Sequence, residues 1–234
     1  MITRARVIEA LATVHDPELD EPVTALGFVS SCEVRRDGYV DVALRLPTPQ
    51  CAPNFAYLMA ADARKVVRRL PGVRDVSIRL EDHYTGEEIN AAVGRGEGFA
   101  RAFPGESDDD DLDALRELFE RKALVARQSR LAEALIADGA TPEQITAHRV
   151  ADLPDVRDAR RCLELRGRLG IPCESYSPAF VSPDGQAIAA EHLTRWLRTA
   201  RLVRMSVEVN GGMCRSLLRI RHGVPVVDPE EAAR

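Results

Sequence analysis

The stretch Tyr39–Met59, YVDVALRLPTPQCAPNFAYLM, decides the fold. In its first half Val40, Val42, Leu44 and Leu46 alternate with other residues, the two-residue period of a strand with one buried face. In its second half Phe55, Leu58 and Met59 open a helical period that continues through Ala63, Val66, Val67 and Leu70. Between the two lies a short proline-punctuated turn, Pro47-Thr48-Pro49-Gln50-Cys51-Ala52-Pro53. A strand that runs straight into a helix is the first half of a β-α-β unit.

Reading outward completes that unit. Downstream, Pro71-Gly72 ends the helix, and Val76, Ile78 and Leu80 alternate as a third strand. A right-handed crossover places it parallel to the strand over Val40–Leu46. Upstream, Phe28, Ser30, Cys32 and Val34 line one face of a first strand, joined to the second through the hairpin signal Asp37-Gly38. Earlier still, Val7, Ile8, Leu11 and Val14 fall on one helical face, and His15-Asp16-Pro17 stops that helix. The order is α-β-β-α-β, and one sheet covered by two helices buries a core within about 100 residues.

The whole chain has 234 residues, with room for two domains. Its 45% hydrophobic and 29% charged residues exclude a fully disordered chain. No apolar run approaches the roughly 20 residues of a membrane helix. Arg4, Arg6 and Glu9 interrupt the N-terminus and leave no secretory h-region, so a cytoplasmic location is expected. The net charge of -5 does not favour a dedicated nucleic-acid binder. Five cysteines, an odd number with no CxxC pair, argue against a disulfide framework and a zinc ribbon.

Pro104-Gly105 and the run Asp108 to Asp111 mark a boundary. The expected domains are therefore 1–104, an acidic linker at 105–111, and a mostly α-helical domain at 112–234, giving an α/β (α+β) chain. In the second domain a long helix is expected from about 112 to 137, ended by Gly139. Thr141-Pro142-Glu143-Gln144 then forms a capping box. Ala179–Val181 reads as a short strand before the turn Ser182-Pro183-Asp184-Gly185. Residues 189–221 fit a helix, while Val203, Met205, Val207 and Val209 also fit a strand; Gly211-Gly212 is expected to break either.

Three clusters could carry chemistry: Asp16-Pro17-Glu18 after the first helix, Thr48 to Cys51 before the second, and His83 at the end of the third strand. Cys51 sits at a helix N-terminus, where free N–H groups and the helix dipole favour a thiolate, the form that binds metals or attacks electrophiles. Two carboxylates beside a thiolate repel it, and a cation reverses that penalty. Asp16, Glu18 and Cys51 together therefore fit an iron or iron–sulfur contact better than a nucleophile. A thiol enzyme would need a base beside the sulfur, and His15 is the candidate. His83 reads either as a ligand or as a surface histidine beside Tyr84.

The quoted residues carry a resemblance. VIEALATVHDPELDEPVTALGFV, GYVDVALRLPTPQCAP and LPGVRDVSIRLED resemble the small iron–sulfur cluster assembly factors. That family includes the SufT-like and PaaD-like proteins and the cytosolic cluster-targeting factors of eukaryotes. The shared features are Asp16-Pro17-Glu18, Leu26-Gly27, Thr48 to Cys51, and Pro71-Gly72-Val73 to Val76, over residues 4–82. The turn departs from the TTPxCP of many relatives.

The resemblance implies a non-enzymatic α/β module that matures or targets iron–sulfur or iron-dependent proteins. It assigns Cys51, Asp16 and Glu18 as metal contacts and Pro17, Gly27 and Thr48 as binding-loop residues. Its cargo is a transient iron–sulfur cluster or iron, and its partners are a client metalloprotein or other cluster-assembly proteins. Clusters take about four ligands, and Cys51 supplies one, so two protomers of a homodimer share a labile cluster or a partner completes it. Cys32 is expected buried and inert, and Cys162, Cys173 and Cys214 unpaired.

The helical half has two further readings. LAEALIADGATPEQITAH, Leu131–His148, has the outline of a helix-turn-helix DNA-binding regulator, but its second helix has no Lys or Arg before Arg149. The arginines at 195, 198, 201, 204, 215, 219 and 221 form a solvated face or a dock for an acidic client.

Overall fold

The computed structural model describes residues 2–105 and 112–224; most of the expected acidic linker lies outside them. These residues form two compact units. One contains the chain up to Ala114 together with the residues from Gly211 onward, and the other is Leu115–Asn210. The second unit thus ends before the C-terminus, unlike the expected division at 112–234.

In the first unit, α1 (Arg4–Leu11) starts at Thr3, whose side chain accepts the Arg6 N–H, and buries Val7 and Leu11. The helix ends before His15. Asp16 offers the chain a competing structure, because its carboxylate accepts the N–H groups of Glu18 and Leu19, each at 2.9 Å. His15–Asp16 forms β1, which pairs antiparallel with β2 (Glu21–Pro22). This two-residue ladder is additional to the expected order; it is too short to show a period.

The main sheet has the order β3-β4-β5. β3 (Val29–Val34) pairs antiparallel with β4 (Tyr39–Arg45), and β4 pairs parallel with β5 (Asp75–Glu81) across α2 (Pro53–Arg68). One expectation fails locally. A register shift between Val29 and Ser31 turns Ser30 out of the face it was expected to share with Cys32. Ser30 is exposed, and its hydroxyl donates to Glu81 at 2.8 Å.

After β5 come α3 (Gly86–Arg95) and the single turn α4 (Phe99–Ala102). Asn90 of α3 covers the edge of β5. It accepts the Leu80 N–H at 2.7 Å and donates to the Leu80 carbonyl at 3.1 Å. Phe28, Val42, Leu44, Met59, Ile78 and Leu80 pack with Val7 and Leu11 in one core.

The second unit is helical. α5 (Asp113–Ala137) ends ahead of Gly139, at φ 89°, and α6 (Pro142–Ala147) carries the expected capping box at Thr141 and Gln144. A 3-10 turn at Val150–Asp152, then α7 (Arg157–Arg168) and α8 (Ala190–His222) follow. Leu124, Leu131, Ile145, Leu165, Phe180 and Leu193 share its core. The expected strand at Ala179–Val181 is reduced to isolated bridges, Arg149 with Pro178 and Val181 with Ala187. Gln128 supplies the missing partners from α5, accepting the Val181 N–H at 2.7 Å and donating to its carbonyl at 3.1 Å. α6 has only 6 residues, less than two turns, which is short for a helix that reads a DNA groove.

The alternation at 203–209 gives way to helix, and α8 runs through Gly211-Gly212 without a break. Gly211 is used for close approach. A Cβ there would meet the Arg215 guanidinium at 3.3 Å and the Glu21 carboxylate at 3.5 Å. Four of the seven C-terminal arginines are tied down. Arg201 and Arg204 pair with Glu133, Arg215 with Glu21, and Arg221 with Asp82.

Candidate functional site

The turn after β4 presents Cys51. Its backbone N–H bonds the Thr48 carbonyl at 3.3 Å, which closes the turn, and Thr48 Oγ1 lies 3.6 Å from Cys51 Sγ. When the sulfur is a thiolate, that hydroxyl donates to it. The residue is half-buried between exposed Gln50 and Ala52, and α2 begins at Pro53. Proline suits that first helical position, where its missing N–H costs nothing.

The loop after β5 braces this turn. Tyr84 N–H donates to the Pro49 carbonyl at 3.1 Å, and His83 Nε2 lies 2.8 Å from the Cys51 carbonyl. His83 Nδ1 accepts the Thr85 N–H at 3.3 Å, so the proton belongs on Nε2, which donates to Cys51. The Tyr84 ring stacks on the imidazole with centroids 5.2 Å apart. His83 is thus a positioning residue for the cysteine loop, and both ring nitrogens are engaged. The sequence raised it only as a ligand or a surface group. Replacing it by alanine leaves the Cys51 carbonyl without its partner and should cost about 1–2 kcal/mol. Faster alkylation of Cys51 in His83→Ala than in the parent is expected; equal rates would show that the loop stands without the histidine.

Asp16 is 8% exposed, and its carboxylate holds the acidic turn through the Glu18 and Leu19 N–H groups. Burial pushes its pKa up to about 6; the two N–H donors oppose that shift, and Glu18 and Glu21 add to it. Asp20, at φ 51°, closes the turn. Pro17 lies within it. Gly27, at φ 74°, closes the turn from Thr24 and leads into β3, and a Cβ there would come within 2.8 Å of Val224. His15 bonds the Thr13 carbonyl through Nδ1 at 3.1 Å, and the histidine beside the Cys51 turn is His83.

β1 packs on α2, and Arg215 of α8 bonds Glu21 of β2, the strand paired with β1. Cys214, expected to be unpaired, is a free thiol. It lies within electrostatic reach of Asp16, Glu18 and Cys51. Burial first, then the charges of Asp16, Cys51 and Glu18, push its thiol up to about 12, with Arg215 opposing. No sequence signal marks it, because the contacts that bring it there are long-range. Among the described residues, no three of the His, Cys, Asp and Glu side chains are grouped closely enough to hold a metal ion by themselves. Asp16, Glu18 and Cys51 each lie within electrostatic reach of Cys214 but form no such group. Cys32 is buried, as expected, and burial pushes its thiol up.

Residues 4–80 match the family described as iron–sulfur cluster assembly protein. An uncharacterized protein of Methanocaldococcus jannaschii is 33% identical over 90 residues, covering 38% of this chain and 93% of the relative. The Fe-S protein maturation auxiliary factor of Porphyromonas gingivalis is 35% identical over 79 residues, 33% of this chain and 72% of that one. The iron–sulfur cluster carrier protein of Deinococcus radiodurans is 36% identical over 74 residues, 32% of this chain and 20% of the relative. No solved structure gives a significant match. Among the described residues no helix is long and apolar enough to cross a membrane.

Proposed function

We propose, for a chain that belongs through residues 4–80 to the iron–sulfur cluster assembly protein family, that it carries iron or an iron–sulfur cluster in transit to a client metalloprotein. Cys51 is the cargo ligand. The observation that carries this reading is the braced turn, in which a half-buried sulfur is held with a hydroxyl 3.6 Å away and its carbonyl fixed by His83. A thiolate presented in this way binds soft metals. Asp16 and Glu18 supply negative charge that favours a bound cation.

An open ligand set suits transit. A cluster takes about four ligands, and a chain that supplies fewer leaves positions for a donor, an acceptor or a second copy. The role is that of a carrier acting in the cytoplasm and not of a thiol enzyme. The histidine at the Cys51 turn faces a carbonyl oxygen and braces the turn, which favours a ligand role for the sulfur over a nucleophile paired with that histidine. Anaerobic reconstitution of the full chain with iron and sulfide is expected to give a visible chromophore. In Cys51→Ser the chromophore and most bound iron should be lost. Equal loading of the two proteins would end the reading.

A further inference from the structure

The C-terminal end of α8 is tied to both the acidic turn and the cysteine turn, and it bears a second sulfur, Cys214. Gly211, Cys214, Leu218 and Arg221 recur at helical spacing and share one face. That face is anchored along its length. Arg215 meets both Glu21 carboxylate oxygens at 3.0 and 2.9 Å, and Glu21 is the ladder partner of Asp16. Leu218 is 1% exposed and belongs to the core of the first unit. Arg221 donates to the Pro47 carbonyl at 2.9 Å and pairs with Asp82 at 2.7 Å. Pro47 opens the turn that presents Cys51, and Asp82 immediately precedes His83, which braces it. The helix is therefore held to the acidic turn at one point and to the cysteine turn at another. Cys214 lies on the anchored face, and Cys214 and Cys51 pack against the same core. Cys214 is outside the 4–80 stretch that defines the family.

Resting on the reading that Cys51 holds the cargo, we propose that Cys214 is a second cargo ligand. One chain then meets a soft divalent cation or a labile cluster with two thiolates, one from the turn and one from the C-terminal helix. Each thiol releases one proton as its sulfur bonds the metal. Two thiolates hold a cluster halfway, with about two ligand positions left for the protein that takes it. Thiolates select soft and borderline cations over magnesium or calcium.

Cobalt(II) titration of the reduced full chain, without oxygen, tests this through the sulfur-to-cobalt charge-transfer band. Each thiolate contributes to its intensity, so Cys214→Ser should retain about half of the band and bind cobalt more weakly. Cys51→Ser should fall similarly, the double variant should have no band, and Cys173→Ser should match the parent. A band halved by Cys51→Ser and untouched by Cys214→Ser overturns the second ligand and leaves the first. A band absent from the parent, or untouched by Cys51→Ser, overturns both. A measurement on the unaltered chain guards against a variant that misfolds. Phenylarsine oxide condenses with two neighbouring thiols to give one arsenic dithiolate and water. Peptide mapping should find that adduct across Cys51 and Cys214; an adduct elsewhere, or none, contradicts the proposal.

Discussion

Asp16→Asn is expected to remove about 2 kcal/mol of pH dependence from the unfolding free energy between pH 4 and pH 7. The carboxyl is buried, and its pKa rises from 3.8 to about 6 on folding. Between those values the folded protein binds more protons than the unfolded one, so stability is greatest at low pH and falls as pH rises through 6. The loss is complete above pH 6, where the native state must hold a buried charge. Asparagine keeps an oxygen to accept the Glu18 and Leu19 N–H groups and carries no charge. Relative to the parent, the variant should therefore gain about 2 kcal/mol on going from pH 4 to pH 7. Urea unfolding at the two pH values measures the difference, and parallel curves would show that Asp16 is not the group responsible. The same substitution should weaken cargo binding if the charge serves the cation. Asp16 then trades stability at neutral pH for function.

Leu218→Ala is expected to free the end of α8 from the first unit. The side chain is fully buried, and truncating a buried leucine costs about 3 kcal/mol. Opening of this segment should become easier by about a hundredfold, since each 1.4 kcal/mol is a factor of ten. Amide hydrogen exchange over 214–222 should accelerate accordingly, and Cys214 should alkylate faster. The β3-β4-β5 sheet should keep its protection, because its strands hold one another through their own ladders. Exchange at 214–222 as slow as in the parent would mean that the arginine anchors alone hold the helix.

These two sites mark the limits of sequence reading. The main sheet was legible because its strands and α2 each impose a period on their own residues, and the parallel pairing of β4 with β5 follows from the crossover between them. The capping box at Thr141 was legible for the same local reason. The β1–β2 ladder was not, since it spans two residues on each side and depends on the Asp16 carboxylate. Nor was the passage of α8 through Gly211-Gly212. Glycine weakens a helix by about 1 kcal/mol, but here contacts from far away decide the outcome. Arg215 reaches Glu21 across 194 residues, and Arg221 reaches Pro47 across 174. Cys214 was missed for that reason. His83 was noticed, but its role as a brace depends on which atoms it faces, which spacing does not encode.

A carrier must deliver. The full chain would be loaded anaerobically with isotopically labelled iron and sulfide, freed of excess, and mixed with an apo-ferredoxin whose holo spectrum reports arrival. The label is expected to move from the parent protein to the acceptor, while Cys51→Ser neither loads nor delivers. Iron that stays on the chain through the chase, or Cys51→Ser that delivers as well as the parent, would contradict it.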